Sequence, residues 1–336
     1  MARNISDEAL YEYADKVKGQ TILITGAARG IGKEAALQFA TRGANIVIGD
    51  IDVQGAQETV EEIKRAGGDA VCNTCNVLVY DDLVSLFELA LSKFGRVDVV
   101  VPNAGISEFS RFLDVRLNER GLPKKPPLKT VEINLISVLH TTQLAFYYLT
   151  QNKNEGSLKA LVFIGSMSSI MAIPSAPLYS ASKHAIVGLM RSLTHEFYVN
   201  GLRVSAVCPW FADTGIIPAA FKVIMAGLPL ASVQRIGGAI VRASTDSSPD
   251  VNGSVYTVPD EKEVFRIPYT EITEGAYGLL SKRVKRALGF LQSVRTFIAL
   301  AKIFAGSSTA KIARRSCSRI WDVQNCALSR LRLNAQ

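Results

Sequence analysis

This chain lacks long apolar stretches. It also lacks the basic N-terminal region followed by an apolar segment that marks a signal peptide. No run of about 18 or more uncharged apolar residues occurs, so a transmembrane helix is not predicted. The first twenty residues include Asp7, Glu8, Glu12 and Asp15, which is unlike a secretory leader. We therefore expect a cytoplasmic protein.

Cysteine and histidine are also scarce. Five cysteines at irregular spacing in 336 residues do not make a disulfide framework. Cys72 and Cys75 form a C-x-x-C pair, but no second cysteine pair or histidine cluster follows nearby to complete a zinc site. We predict reduced thiols and no metal site.

Basic residues are unevenly distributed along the chain. Residues 279–336 contain 12 Lys and Arg and one acidic residue, Asp322, which gives this segment a net charge of +11. Because the net charge of the whole chain is +8, residues 1–278 carry −3. Apolar residues between Leu280 and Ala301 follow helical spacing among these basic residues, which predicts a basic amphipathic helix. Residues 279–304 could dock on the domain as a solvated helix, lie on an anionic membrane surface, cover a substrate pocket or pack between subunits. Nucleic acid is not an expected partner, because no binding fold accompanies the charge.

Between residues 20 and 258, short β-rich runs alternate with helical patterns. The predicted strands are 20–25, 45–50, 70–76, 97–101, 158–165, 203–208 and 255–258. The predicted helices are 31–42, 53–66, 80–94, 129–149 and 179–200. This alternation predicts a doubly wound, seven-stranded parallel α/β sheet of the Rossmann type with helices on both faces. Residues 1–19 would form an N-terminal arm and residues 259–336 a basic helical extension.

A glycine-rich loop links the first predicted strand to the first helix. Thr25-Gly26-Ala27-Ala28-Arg29-Gly30-Ile31-Gly32 stands where glycines let the backbone approach a pyrophosphate at a helix N-terminus. Asp50 ends the second strand 18 residues after Gly32, where its carboxylate can accept from adenosine ribose hydroxyls and repel a 2′-phosphate. NAD is therefore the expected cofactor, and NADP is the alternative because Arg29 places a cation in the loop.

A phenol and an ammonium share one face of the long predicted helix. Tyr179 and Lys183 stand at i and i+4, so the cation is expected to lower the pKa of the phenol. Ser166 follows a predicted strand 13 residues earlier, at the sheet edge where α/β enzymes place ligands. Its hydroxyl is expected to hold a substrate oxygen while Tyr179 moves a proton.

These residues resemble the short-chain dehydrogenase/reductase superfamily over roughly residues 20–258. The likeness rests on motifs in the family's order, namely the glycine loop, Asn103-Ala104-Gly105, Asn134, Ser166, Tyr179, Lys183 and Pro209.

The resemblance implies a role for each matching residue. Tyr179 would be the general acid/base, Ser166 would orient the carbinol oxygen, and Lys183 would bind the nicotinamide ribose. Asn134 would hold a water that links Lys183 to solvent, and Thr214 would contact the nicotinamide carboxamide. Gly26, Arg29, Gly30, Ile31, Gly32, Asp50, Asn76, Asn103, Tyr179, Lys183, Pro209 and Thr214 would bind the cofactor.

Two positions depart from the family pattern. Asn76 stands where the family usually has Asp against the adenine amino group, which keeps an acceptor oxygen and loses the charge. Trp210 stands where Gly commonly follows the proline, so the pocket is expected to be narrowed or reshaped. The apolar stretch from Gly215 to Leu228 is expected to cover a lipophilic substrate.

The sequence therefore predicts an oxidoreductase that transfers hydride between NAD and a lipophilic secondary alcohol or the matching ketone. The chain looks most like the 15-hydroxyprostaglandin dehydrogenase type and related enzymes of fungal secondary metabolism, and family resemblance implies a homodimer or homotetramer. An NADPH-dependent ketone reductase is the alternative within the class. A cofactor-binding scaffold attached to a membrane by its C-terminal tail is the alternative from a different class.

Overall fold

The computed structural model describes most of residues 3–268 and a few residues beyond them. The described residues are 3–108, 112–174, 176–212, 214, 227, 229–248, 250–260, 262–268, 286, 290, 293–294, 296–298 and 300–301. The chain divides into two compact units, Met1–Ile272 and Thr273–Gln336. The described residues of the second unit are helical. The rest of the predicted amphipathic helix lies outside the described residues, as does the predicted cover over residues 215–228 except Gly227.

A nine-stranded sheet forms the centre of the first unit. Its strands are β1 Arg3–Ile5, β2 Thr21–Thr25, β3 Asn45–Asp50, β4 Asp69–Thr74, β5 Val99–Pro102, β6 Ala160–Ile164, β7 Arg203–Pro209, β8 Val255–Val258 and β9 Val264–Ile267. They lie in the order β1-β9-β8-β7-β6-β5-β2-β3-β4, and β2 to β8 are parallel. The predicted doubly wound parallel sheet is confirmed.

Two short strands extend the sheet beyond the seven that the sequence predicts. β9 pairs antiparallel with β8, and β1 pairs antiparallel with β9 in the register Arg3↔Arg266 to Ile5↔Val264. The sheet therefore does not end at Val258, and residues 3–5 of the predicted N-terminal arm belong to its edge.

Helices cover both faces of the sheet. They are α1 Gly30–Ala40, α2 Val53–Arg65, α3 Tyr80–Phe94, α4 Lys129–Val131, α5 Ser137–Gln151, α6 Pro177–Val199 and α7 Val233–Thr245. A π-helical stretch, Glu132–Ile136, joins α4 to α5. The start of α2 is fixed by Asp52, whose carboxylate accepts from the Gly55 N–H (3.1 Å), and α3 ends at Gly95 in the left-handed region. The sequence did not predict α7.

Two apolar clusters fill the layers above and below the sheet. One packs Phe39 of α1 and Ile240 of α7 against one face, and the other packs Phe87 of α3 and Phe197 of α6 against the opposite face. Because the central strands are buried on both faces, their sequences are continuous apolar runs, such as Val99–Pro102. Among the residues that the structure describes, no helix has the length and apolarity to cross a membrane.

Candidate active site

The predicted site residues gather at the carboxyl ends of the parallel strands. Strand order reverses at β2, which pairs with β3 on one side and with β5 on the other. Parallel α/β sheets bind ligands in the crevice that forms at such a reversal. The glycine loop follows β2 there, Asn103 follows β5, and Ser166 follows β6.

The glycine loop fits closely against its neighbours. Gly26 has a positive φ of 73°, and a Cβ added to it would lie 2.7 Å from Cα of Ala104. A Cβ on Gly32 would lie 2.4 Å from the carbonyl oxygen of Gly26 and 2.5 Å from Nδ2 of Asn103. Neither position has room for a side chain. No side chain caps the following helix α1, so its first N–H groups are left to bind an anion, which fits a dinucleotide pyrophosphate.

Asn103 holds this loop in shape. Its Nδ2 donates to the carbonyl oxygens of Gly26 (2.7 Å) and Thr25 (3.1 Å), and its backbone N–H donates to Oγ1 of Thr25 (3.1 Å). Both of these side-chain hydrogen bonds go to backbone carbonyl oxygens of the loop. Asn103 therefore positions the loop in this structure.

Asp50 joins the second strand to the same loop. Its Oδ2 accepts from the Ala28 N–H (2.9 Å) and its Oδ1 accepts from the Asp52 N–H (2.9 Å). Each carboxylate oxygen retains a lone pair, so the group can still accept from a ribose. Asn76 uses its Oδ1 for the Leu78 N–H (3.1 Å), and Arg29 is exposed at the start of α1.

A cavity of about 240 Å³ brings Ser166, Tyr179 and Lys183 together. Apolar side chains make up much of its wall, and the larger ones are Ile106, Met167, Ile173, Trp210 and Phe211. Ile31, Asn103, Pro209 and Thr214 line the same cavity. With Tyr179 and Lys183, six of the residues predicted to bind cofactor therefore line the cavity. It holds three of the four predicted catalytic residues, and Asn134 is not among its lining residues.

Hydrogen bonds hold Ser166 in place. Its Oγ accepts from the Ser168 N–H (3.0 Å), while its own N–H donates to Oγ of Ser169 (3.1 Å). The buried Ser168 hydroxyl in turn donates to Oγ of Ser180 on α6 (3.0 Å). These bonds join the turn after β6 to the helix that carries Tyr179.

Burial governs the proton affinities of the catalytic pair. It raises the pKa of Tyr179, and a hydrogen bond with Ser166 offsets part of that rise. Burial also lowers the pKa of Lys183 to about 8. Its Nζ lies 5.8 Å from the centre of the Tyr179 ring and donates to the Ile164 carbonyl (2.9 Å). In the protein alone, desolvation of the phenolate sets the direction of the Tyr179 pKa, and the predicted lowering of this pKa by Lys183 stays a prediction.

Asn134 lies buried in the π-helical stretch and binds backbone. Its Oδ1 accepts from the Ile106 N–H (2.8 Å) and its Nδ2 donates to the Ile106 carbonyl (2.9 Å). Its Nδ2 also lies 3.5 Å from Oγ of Ser182. This amide fixes the segment that follows Asn103, and the predicted water relay to Lys183 stays a prediction.

Glu108 is a site residue that the sequence did not single out. It lines the cavity, and its Oε2 accepts from the backbone N–H of Tyr179 (2.9 Å). Glu108 belongs to no sequence motif, so only its contact with Tyr179, 71 residues later in the chain, identifies it as a site residue.

Metal binding has little support in the described ranges. No cluster of three or more His, Cys, Asp or Glu there could hold a metal ion. Burial raises the pKa of Cys72, and it raises that of Cys75 to about 12, so the C-x-x-C thiols are poor nucleophiles at neutral pH.

Comparison with known proteins gives a consistent result. Residues 20–247 match the family model for short chain dehydrogenases. The 3-oxoacyl-(acyl-carrier-protein) reductase FabG of Thermotoga maritima is 31% identical over 247 residues, which are 71% of this chain and 96% of that protein. The 15-hydroxyprostaglandin dehydrogenase (NAD(+)) of Macaca fascicularis is 31% identical over 211 residues, 61% of this chain and 73% of that protein. The crystal structure of a 3-ketoacyl-(acyl-carrier-protein) reductase from Brucella melitensis, complexed with NADH, superposes with a TM-score of 0.62 at 25% identity and covers 72% of this chain and 97% of its own.

Proposed function

The chain belongs to the short-chain dehydrogenase family, and on that premise we propose that it transfers hydride between NAD and a lipophilic secondary alcohol or the matching ketone. Membership makes it a nicotinamide-dependent oxidoreductase that acts on CH–OH groups. The observation that carries the finer proposal is the largely apolar cavity that Ser166, Tyr179 and Lys183 line together.

Tyr179 exchanges the proton of the substrate oxygen. Because burial raises the pKa of Tyr179, its phenol carries a proton at neutral pH and can donate it when a ketone is reduced. In the oxidative direction the phenol must first lose that proton, which a positive charge nearby would favour. The bound cofactor would supply the hydride acceptor or donor and, when oxidised, such a charge.

Ser166 and Lys183 position the reacting groups. The Ser166 hydroxyl is fixed by the turn after β6 and shares a hydrogen bond with Tyr179, so both hydroxyls can meet one carbinol oxygen. Lys183, anchored on the Ile164 carbonyl, retains two further N–H donors for a ribose hydroxyl. Near its pKa of about 8 it can also exchange a proton.

NAD is the proposed cofactor because the Asp50 carboxylate is held at the end of β3. Its bonds to the Ala28 and Asp52 N–H groups keep it from moving aside, so a 2′-phosphate would meet a fixed negative charge. The exposed Arg29 is the observation that favours the NADPH-dependent alternative.

Cofactor titration with two variants separates these alternatives. If NAD is the cofactor, the wild type binds NAD more tightly than NADP, Asp50→Ala reduces that preference, and Arg29→Ala leaves NAD binding unchanged. Tighter NADP binding that is lost in Arg29→Ala would establish the NADPH reductase instead. A screen of hydrophobic secondary alcohols and ketones with both cofactors, followed at the nicotinamide absorbance, then tests the reaction. No turnover of any lipophilic substrate would contradict the proposal.

A further inference from the structure

Glu108 places a carboxylate in the wall of the apolar cavity. The side chain follows β5 in the chain and reaches the start of α6, where Oε2 accepts from the Tyr179 N–H (2.9 Å). That N–H is one of the first in the helix and has no partner within the helix itself. One oxygen of Glu108 therefore stabilises the end of α6 and is bonded to the residue that exchanges the proton.

The other oxygen has no such partner. Oε1 of Glu108 is buried, and within the described part of the chain it accepts no hydrogen bond. A buried carboxylate oxygen without a donor is unfavourable. A helix cap alone would need only one oxygen, so capping does not account for Oε1.

Three polar side chains of the cavity wall already form hydrogen bonds within the protein. Lys183 donates to the Ile164 carbonyl, and Ser168 donates to Ser180. Ser166 shares its hydroxyl with the Ser168 N–H and Tyr179. None of the described residues donates a hydrogen bond to Oε1, which leaves this oxygen available to a donor on a molecule that enters the cavity.

We propose that Glu108 is a specificity-determining residue whose Oε1 accepts a hydrogen bond from a second polar group of the substrate, a hydroxyl or an ammonium, borne near the carbinol carbon. The inference rests on the proposed function and narrows its substrate class from a lipophilic alcohol to a lipophilic diol or amino alcohol, or the matching ketone. Because Oε2 binds the backbone of Tyr179, the same carboxylate would fix the substrate relative to the phenol. Sites that bond a substrate OH or NH discriminate strongly against analogues that lack it.

The test compares matched probes in matched variants. The probes are cyclohexanol, the vicinal cyclohexanediol and the vicinal aminocyclohexanol. The variants are Glu108→Gln, whose amide oxygen can still accept from the Tyr179 N–H, and Glu119→Gln, which makes the same change on the exposed loop before α4. Two quantities are measured for each pair, namely kcat/KM and the ligand-induced shift of the thermal unfolding midpoint.

We expect the wild type and Glu119→Gln to favour at least one donor-bearing probe over cyclohexanol by about 10- to 100-fold in kcat/KM, the range of a charge-assisted hydrogen bond. Glu108→Gln should lose most of that preference, because its kcat/KM falls more for the donor-bearing probe than for cyclohexanol. Preference for the diol alone, or for the amino alcohol alone, identifies which donor the site takes.

Two results would overturn the inference. One is that the wild type and Glu108→Gln prefer the donor-bearing probes over cyclohexanol by the same factor in kcat/KM. Turnover of cyclohexanol in that case would leave the proposed function intact. The other is an absence of any midpoint shift specific to the donor-bearing probes. If no probe is oxidised with either cofactor, the proposed function fails, whereas a midpoint shift that Glu108→Gln abolishes would still support the subsite.

Discussion

Replacing Gly32 by Ala tests whether the glycine loop has the shape that the cofactor proposal needs. A Cβ at this position would lie 2.4 Å from the Gly26 carbonyl oxygen and 2.5 Å from Nδ2 of Asn103. Ordinary contacts of a Cβ lie at 3.4–4 Å, so both groups would have to move by about 1 Å. Asn103 Nδ2 donates a hydrogen bond to the Gly26 carbonyl oxygen (2.7 Å), so moving the two groups apart would weaken that bond.

The expected loss follows from three contributions. Overpacking costs about 1–3 kcal/mol, and a weakened Asn103–Gly26 hydrogen bond costs about 1 kcal/mol. The higher helix propensity of Ala returns at most about 1 kcal/mol. We expect a net loss of about 1–4 kcal/mol, which lowers the midpoint of thermal unfolding by roughly 2–16 °C. We also expect NAD affinity to fall at least about tenfold, because the displaced backbone no longer meets the pyrophosphate.

Gly188→Ala is the matched control. Gly188 lies inside α6, its φ is not positive, and a Cβ there would meet nothing within 4 Å. The same chemical change should therefore stabilise the protein by about 0.5–1 kcal/mol and leave NAD binding unchanged. Wild-type stability and wild-type NAD affinity in Gly32→Ala, measured by scanning calorimetry and fluorescence titration, would refute the reasoning.

Two further predictions concern buried charges. Asp98→Ala should lower the free energy of unfolding, measured in urea, by about 3–5 kcal/mol. The Asp98 carboxylate is fully buried and accepts hydrogen bonds from Arg96 (2.6 and 2.7 Å) and from the Thr21 N–H (2.8 Å). A loss below about 1 kcal/mol would contradict this prediction. For Lys183, burial lowers the pKa to about 8 from its ordinary 10.5, so above pH 8 the unfolded chain holds the extra proton and stability rises with pH. The unfolding free energy of wild type minus that of Lys183→Met should increase by up to about 1.4 kcal/mol per pH unit between the two pKa values, and a constant difference would count against the lowered pKa.

Local signals were sufficient to predict the parallel core. Strands buried on both faces are continuous apolar runs, and five of the helices carry amphipathic patterns, so pairs such as β2 with α1 can be read from the sequence. The glycine loop and the Tyr179–Lys183 pair depend on short spacings within single elements.

The missed elements depend on distant contacts. Helix α7 contains Gly237 and Gly238 at its centre, which disfavour a helix, yet a Cβ at these positions would meet Gln38 and Tyr11. Its glycines therefore allow close packing on the first part of the chain. The antiparallel strands β1 and β9 have three and four residues and pair across more than 250 positions, which no local pattern encodes.

The structure brings Ser166, Tyr179 and Lys183 together in one cavity, but short-range patterns do not reveal every contact of the site residues. The Nδ2 groups of Asn103 and Asn134 donate to backbone carbonyls, and Glu108 accepts from the backbone N–H of Tyr179, which lies 71 residues later in the chain. The homo-oligomeric state, the cytoplasmic location, a role in secondary metabolism and membrane contact through residues 279–304 stay predictions.

The Tyr179→Phe variant tests the central claim most directly. It removes one hydroxyl from the cavity and leaves the Glu108 contact with the backbone N–H available. We predict that turnover of a secondary alcohol with NAD falls by about 10²- to 10⁴-fold while NAD affinity stays at the wild-type value. Turnover at the wild-type rate in this variant would contradict Tyr179 as the proton-exchanging residue.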